Sequence, residues 1–209
     1  MGLWYLLDVV MGGMWVTVYA LVIVGSLKYK CPRISPLFPV LVLPWELTAV
    51  LYDFAQKTPV SWTEINRIGF CTGNMIIGVI ILRWFMQNND RRWIYNLLIF
   101  IFFTAIMHQY VFRTENGELY FSFIVTLLGC FFWLLYILKK DFEPLPIDCA
   151  IAAIKMTADA IGCAWYFNQM GSANFLCIML LLIHMIHFVV VVSRIYQKKH
   201  FTESNCNEK

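Results

Sequence analysis

Apolar stretches of about 17 to 25 residues, the length that spans a bilayer as a helix, recur seven times along this sequence. They lie at Tyr5–Leu27, Pro36–Phe54, Glu64–Phe85, Trp93–Phe112, Leu119–Leu138, Pro146–Phe167 and Asn174–Tyr196. The connectors are short and polar, and no repeat holds at a fixed period. The pattern predicts an all-α membrane protein: a single seven-transmembrane-helix bundle over residues 1–197, then a disordered polar tail over 198–209. The first run lacks a basic leader and is too long for a cleaved signal peptide, so it reads as a spanning helix.

Composition supports this. Charged residues make up 14% of the 209 positions and hydrophobic ones 60%, with a mean hydropathy of +0.67. Soluble domains carry about 25% charged residues, so a multi-pass integral protein with the lipid bilayer as its solvent is expected. The net charge of +3 is too small to imply a nucleic-acid partner. The 7 cysteines are scattered, without a CxxC pair, and encode neither a zinc site nor a disulfide framework.

Lys and Arg in short loops set orientation. Lys28, Lys30, Arg33, Arg83, Arg91, Arg92, Lys139, Lys140, Arg194, Lys198, Lys199 and Lys209 fall on one side, against Lys57, Arg67 and Arg113 on the other. The asymmetry predicts an outside N-terminus and a cytosolic C-terminus.

Polar groups at membrane depth are few enough to take one by one. In Pro44-Trp45-Glu46 the acid lies near the centre of the second run, within about 15 Å of helix of either end. An ionised carboxylate is costly there, and such residues are functional by default. A structural carboxylate bonded to a neighbouring helix is the plainer alternative. Pro44 cannot donate to the carbonyl four residues back and weakens the helix one turn before the acid. Asp53 follows Glu46 by seven residues, on the same face. The third run holds Asn74, in a small-xxx-small stretch (Gly69 to Gly73) that allows close helix approach; Gly12-Gly13 could do the same. The sixth run carries Asp148, Lys155 and Asp159 on one stripe, and the seventh His184 and His187 on one face. Lys155 and Asp159 could neutralise each other. The two histidines lack a third ligand for a metal. Glu46, Asp159 and His184 share nearly one depth, and converging faces would make a polar pocket between helices. A Glu46–His184 pair, with the second and seventh helices adjacent, is the arrangement expected.

Three features together resemble a known family: the aromatic, Gly-rich first run (Met11-Gly12-Gly13-Met14-Trp15), the stretch Trp45-Glu46-Leu47-Thr48-Ala49-Val50-Leu51-Tyr52, and the Gly-x-x-x-Gly-Asn opening of the third run. The chain is similar to the small integral-membrane terpene cyclases of fungal indole-diterpene and meroterpenoid pathways, the paxilline-pathway cyclase type. The resemblance implies a lyase- or isomerase-type enzyme in which the Glu at position 46 and an Asp in the last helix start cyclisation. The acid protonates a terminal epoxide or alkene of a lipophilic prenylated substrate, without metal or cofactor. Here His184 stands where that Asp is expected, and Asp159 is the substitute acid in the helix before.

Apart from the resemblance, a buried carboxyl suits general-acid work, and aromatic faces stabilise carbocations. Trp15, Trp45, Tyr52, Trp133 and Trp165 are candidates for the wall, with Asn74 as a polar substrate contact. The competing expectation is a small proton-coupled transporter using Glu46, Asp159 and His184 as a relay. Transporters of that kind show inverted repeats with interrupted helices, and only the second helix here contains a central proline.

Overall fold

The computed structural model describes residues 3–55, 62–110, 117–167 and 174–207. Within them the chain forms α1 (Leu3–Tyr29), α2 (Leu37–Ala55), α3 (Trp62–Gln87), α4 (Arg92–Tyr110), α5 (Gly117–Ile137), α6 (Pro146–Tyr166) and α7 (Phe175–Asn207), and the described residues contain no strand. Residues 56–61, 111–116 and 168–173, which take in most or all of the expected connectors at 55–63, 113–118 and 168–173, lie outside the described residues, as do the side chains of Asp53 and Trp165.

Four helices carry segments long and apolar enough to cross a membrane: Leu6–Tyr29, Glu64–Gln87, Tyr120–Ile137 and Phe175–Lys198. Apolar stretches on α2 and α4, Leu37–Tyr52 and Arg92–Met107, are shorter. In α6 the acids and the lysine of its polar stripe interrupt the apolar run. Large apolar side chains such as Val79, Leu98, Phe102 and Val189 stand exposed on the outside. An apolar exterior of this extent belongs in lipid, and the chain is a membrane protein.

Six helices close into a ring. α1 packs on α3 and α6, α6 on α7, α7 on α5, α5 on α2, and α2 on α3. α4 stands outside, against α2. α2 therefore packs on α3, α4 and α5 and α7 on α5 and α6, which corrects the expected adjacency of the second and seventh helices. Aromatic rings fill the middle in series. Phe70 meets Tyr19 at 6.2 Å, Tyr19 meets Trp15 at 5.6 Å, and Trp15 meets Phe38 at 6.2 Å between centroids. Phe38 meets Trp133, and Trp133 meets the His187 ring, each at 5.4 Å.

Local chemistry sets the helix boundaries. Lys30 and Asn89, just past α1 and α3, have φ of 53° and 50°, the left-handed conformation that ends helices. Ser35 begins α2: its hydroxyl accepts from the Leu37 N–H at 3.3 Å and its carbonyl from the Phe38 N–H at 3.0 Å. α2 runs through Pro44, whose carbonyl accepts from the Thr48 hydroxyl at 2.7 Å. At α6, Pro146 occupies the first turn, where its missing N–H costs nothing, and Asp148 reaches back to the Leu145 N–H at 2.7 Å. α7 continues as helix to Asn207, so the disordered tail expected from position 198 is corrected. No Gly or Pro interrupts that stretch, and Lys198 Nζ lies 3.0 Å from Glu143 Oε1 in the α5–α6 connector.

The α1–α3 seam depends on small residues. A Cβ added at Gly73 would lie 2.8 Å from Tyr19 Cδ2, one at Gly69 3.1 Å from Val16 Cγ2, and one at Gly12 within 2.1 Å of Asn66. Gly13 faces open space instead.

Candidate functional site

The α1 helix organises the buried polar groups. Trp15 and Tyr19 are one turn apart on its inward face, and each holds a carboxyl group from another helix. On one side, Tyr19 Oη donates to Glu46 Oε1 at 3.3 Å. Asn74 Nδ2, from α3, lies 3.0 Å and 2.9 Å from the two Glu46 oxygens and 2.9 Å from Tyr19 Oη. Glu46 is 1% exposed and Asn74 is completely buried. All these partners are neutral, and Asn74 Oδ1 is enclosed without a donor.

On the other side, Trp15 Nε1 donates to Asp159 Oδ1 at 2.7 Å. Asp159 Oδ2 is in direct contact with His184 Nε2 from α7. Cys130 of α5 completes this cluster: its sulfur, a carboxylate oxygen of Asp159 and a ring nitrogen of His184 lie within 4.8 Å of one another. Thiol, carboxylate and imidazole are a donor set that zinc accepts, although Asp159 and His184 already serve as each other's partner.

A further pair sits one turn along α6. Lys155, fully buried, places Nζ 2.7 Å from His187 Nδ1 and 4.0 Å from the centroid of the Trp133 ring. Lys155 is thus hydrogen-bonded to α7, while Asp159, one turn along the same helix, acts on it through its charge without a direct ion pair. Nearer the basic end, Arg33 grips Asp148 through Nε at 3.0 Å and through Nη2, which also donates to the Glu143 carbonyl at 2.8 Å. The Arg33 carbonyl accepts from Trp133 Nε1 at 3.1 Å. This ion pair ties the α1–α2 connector to the start of α6.

The structure therefore distributes the expected site residues over two clusters. Glu46 and Asn74 stand together, as do Asp159, His184 and Trp15. The expected Glu46–His184 pair is corrected: Glu46 bonds Tyr19 and Asn74, and His184 meets Asp159, because α5 separates α2 from α7 in the ring. Trp133 lies in the aromatic series at the centre. Trp45 is half-buried, with its Nε1 enclosed and lacking a hydrogen-bond partner. Tyr52, near the end of α2, is 40% exposed. Sequence reasoning passed over Tyr19 and Cys130. The signal for Tyr19 was its i,i+4 spacing from Trp15 on a helix whose inward face must carry partners for two acids.

A groove of about 150 Å3 also runs between α2, α3 and α4 on the lipid side, and its lining does not include Glu46, Asp159 or His184.

Compared with protein-family models, curated proteins and solved structures, the chain matches none.

Proposed function

We propose that the chain is a membrane-embedded terpene cyclase, metal-independent and of lyase or isomerase type, that starts ring closure of a lipophilic prenylated substrate with a proton from Glu46. The observation that carries this reading is the set of partners around Glu46: two oxygens met only by the neutral amide and phenol of Asn74 and Tyr19, beside an amide oxygen with no donor. No cation in that set balances a carboxylate at this depth. Asn74 Nδ2 faces both Glu46 oxygens, and a protonated, neutral Glu46 needs no counter-charge in such a setting. That proton is the one transferred.

In the reaction the Glu46 proton moves to the epoxide oxygen, the C–O bond breaks, and a neighbouring alkene closes onto the carbocation. The series Tyr19, Trp15, Phe38 and Trp133 offers ring faces to the passing charge. His184, oriented by Asp159, takes the final proton from carbon as an alkene forms. The same reading places seven spanning helices in the bilayer, with the C-terminal end of α7 in the cytosol.

Feeding epoxy-prenylated aromatics to a host expressing the chain tests this. Cyclised product is expected from the wild type and none from Glu46→Gln, with the variant still folded. A Gln variant of full activity refutes the assignment. The Lys155–His187 and Asp159–His184 pairs favour a second reading, a proton-coupled carrier. Proton uptake by proteoliposomes, dependent on Asp159 and absent from the cyclase account, decides between them.

A further inference from the structure

We infer that Cys130, Asp159 and His184 form a binding site for a single zinc ion, joining α5, α6 and α7 inside the bundle. This does not rest on the cyclase reading. An ion there takes up the His184 ring that the cyclase reading needs as a base, so zinc acts against turnover.

The donor set selects the ion. One sulfur, one carboxylate oxygen and one ring nitrogen lie within 4.8 Å of one another, and all three residues are buried. Donors on a tetrahedral zinc stand about 3.3–3.6 Å apart, given bonds of about 2.0–2.3 Å. Closing the site therefore asks for shifts on the order of 1 Å. Calcium and magnesium take oxygen donors in larger number, which this cluster does not offer. Copper(I) favours thiolate and thioether sulfur, whereas a carboxylate suits harder ions. A mixed set of thiolate, carboxylate and imidazole is one that zinc accepts, with the fourth position left to a small ligand such as water.

The donor atoms themselves point to an ion. Asp159 Oδ2 and His184 Nε2 touch, yet neither they nor His184 Nδ1 makes a hydrogen bond. Buried polar atoms without one call for an explanation. Asp159 Oδ1, by contrast, accepts from Trp15 Nε1 at 2.7 Å. That leaves Oδ2 for one metal bond and supplies the outer hydrogen bond by which ligating carboxylates are oriented. Charge balances too. Zinc displaces the Cys130 thiol proton and any proton between Asp159 and His184. Thiolate, carboxylate and neutral imidazole then carry two negative charges against the ion's two positive ones, a neutral complex where net charge is expensive. The buried lysine of α6, Lys155, is held by His187 Nδ1 at 2.7 Å and takes no part. In the ring of helices α5 and α6 are joined mainly through α7, so the ion adds a direct link between them. A site this enclosed fills as the helices assemble, since metal binding is coupled to folding.

The full chain, purified in nanodiscs from cells grown with zinc and separately with cobalt in its place, supplies the test. One zinc per chain is expected, with X-ray absorption showing one sulfur at about 2.3 Å and nitrogen or oxygen at about 2.0–2.2 Å. The cobalt form should show the charge-transfer band of a metal–thiolate bond. Cys130→Ser should abolish that band. It should also weaken zinc binding, read by competition with a chromophoric chelator, by at least the roughly 10- to 100-fold that loss of an outer partner costs. Trp15→Phe, which removes the hydrogen bond to Asp159 and keeps an aromatic ring, should fall within that range and retain the band. Cys71→Ser, at a buried cysteine of α3, should change neither reading. Should Cys130→Ser not fold, His184→Gln takes its place, with loss of imidazole scattering from the absorption spectrum expected. Zinc far below one per chain, zinc bound without sulfur, a band that survives Cys130→Ser or imidazole scattering that survives His184→Gln overturns the inference. Product undiminished in the zinc-loaded chain also contradicts the ion's place on His184. Zinc bound at these residues with no product from the zinc-free chain sinks the cyclase reading alone, whereas Glu46-dependent product without zinc binding sinks only this one.

Discussion

Asn74 is the residue on which the Glu46 site turns, since its amide lies against both carboxyl oxygens and the Tyr19 hydroxyl. Removing one partner of a buried pair leaves the other unmet, at about 1–3 kcal/mol, while replacing both by apolar groups of similar shape is near neutral. Asn74→Leu is therefore expected to destabilise the protein by about that amount, and Glu46→Leu with Asn74→Leu to regain most of it. Unfolding in mixed micelles across the double-mutant cycle gives the coupling; strictly additive losses would mean that the two side chains do not act as a pair. Glu46, Asp159 and His184 stood out in the sequence because ionisable groups are rare in apolar runs. Their partners did not. Periodicity gives the face of a helix but not which helix lies opposite, and Tyr19 is one tyrosine among 10 in an aromatic-rich chain.

Helix seams translate such residue-level demands into element positions. Gly69 and Gly73 let α3 approach α1 until Tyr19 reaches both Asn74 and Glu46. Gly73→Ala, whose Cβ would fall 2.8 Å from the Tyr19 ring, is expected to cost about 1–3 kcal/mol, as overpacking does, and to lower cyclisation with it. Gly78→Ala, on the same helix but facing open space, is expected to be neutral or stabilising by up to about 1 kcal/mol through helix propensity. Equal effects at the two positions would contradict the packing. The Arg33–Asp148 pair binds elements in another way, since Asp148 also holds the Leu145 N–H at the start of α6. Arg33→Leu leaves that carboxylate buried and unbalanced, and a loss of about 3–5 kcal/mol is expected. Arg33→Leu with Asp148→Asn should recover part of it, measured by the same unfolding assay. The Gly69-to-Gly73 seam was legible from its small-residue spacing. The Arg33–Asp148 link was not, because a loop arginine reads first as an orientation signal.

For the whole molecule, a ring of six helices with α4 alongside makes a closed, aromatic interior whose groups meet across α1, and the contacts at its basic end bear on the proposed topology. The 33 residues of α7 amount to about 50 Å of helix, against a hydrocarbon core of about 30 Å. The excess falls at its C-terminal end. There Arg194 donates to the Lys139 carbonyl at 3.1 Å and Lys198 meets Glu143, so the end of α7 is fastened to the α5–α6 connector and cannot lie on the opposite side from it. On the proposed topology the basic connectors after α1, α3 and α5 are expected on that same side by the loop-charge rule. Cys31, in the α1–α2 connector, and Cys206, near the end of α7, are then expected to react from one side. Most other cysteines are buried in the bundle, so single-cysteine variants at 31 and 206 report cleanly. In sealed right-side-out vesicles a membrane-impermeant maleimide is expected to spare both and to label both after permeabilisation. Labelling of one without the other in sealed vesicles would break the odd-helix topology. It would also put the α1–α2 connector and the C-terminal end of α7 on different faces, a separation that the contacts of Arg33 and of Lys198 with Glu143 in the α5–α6 connector do not allow.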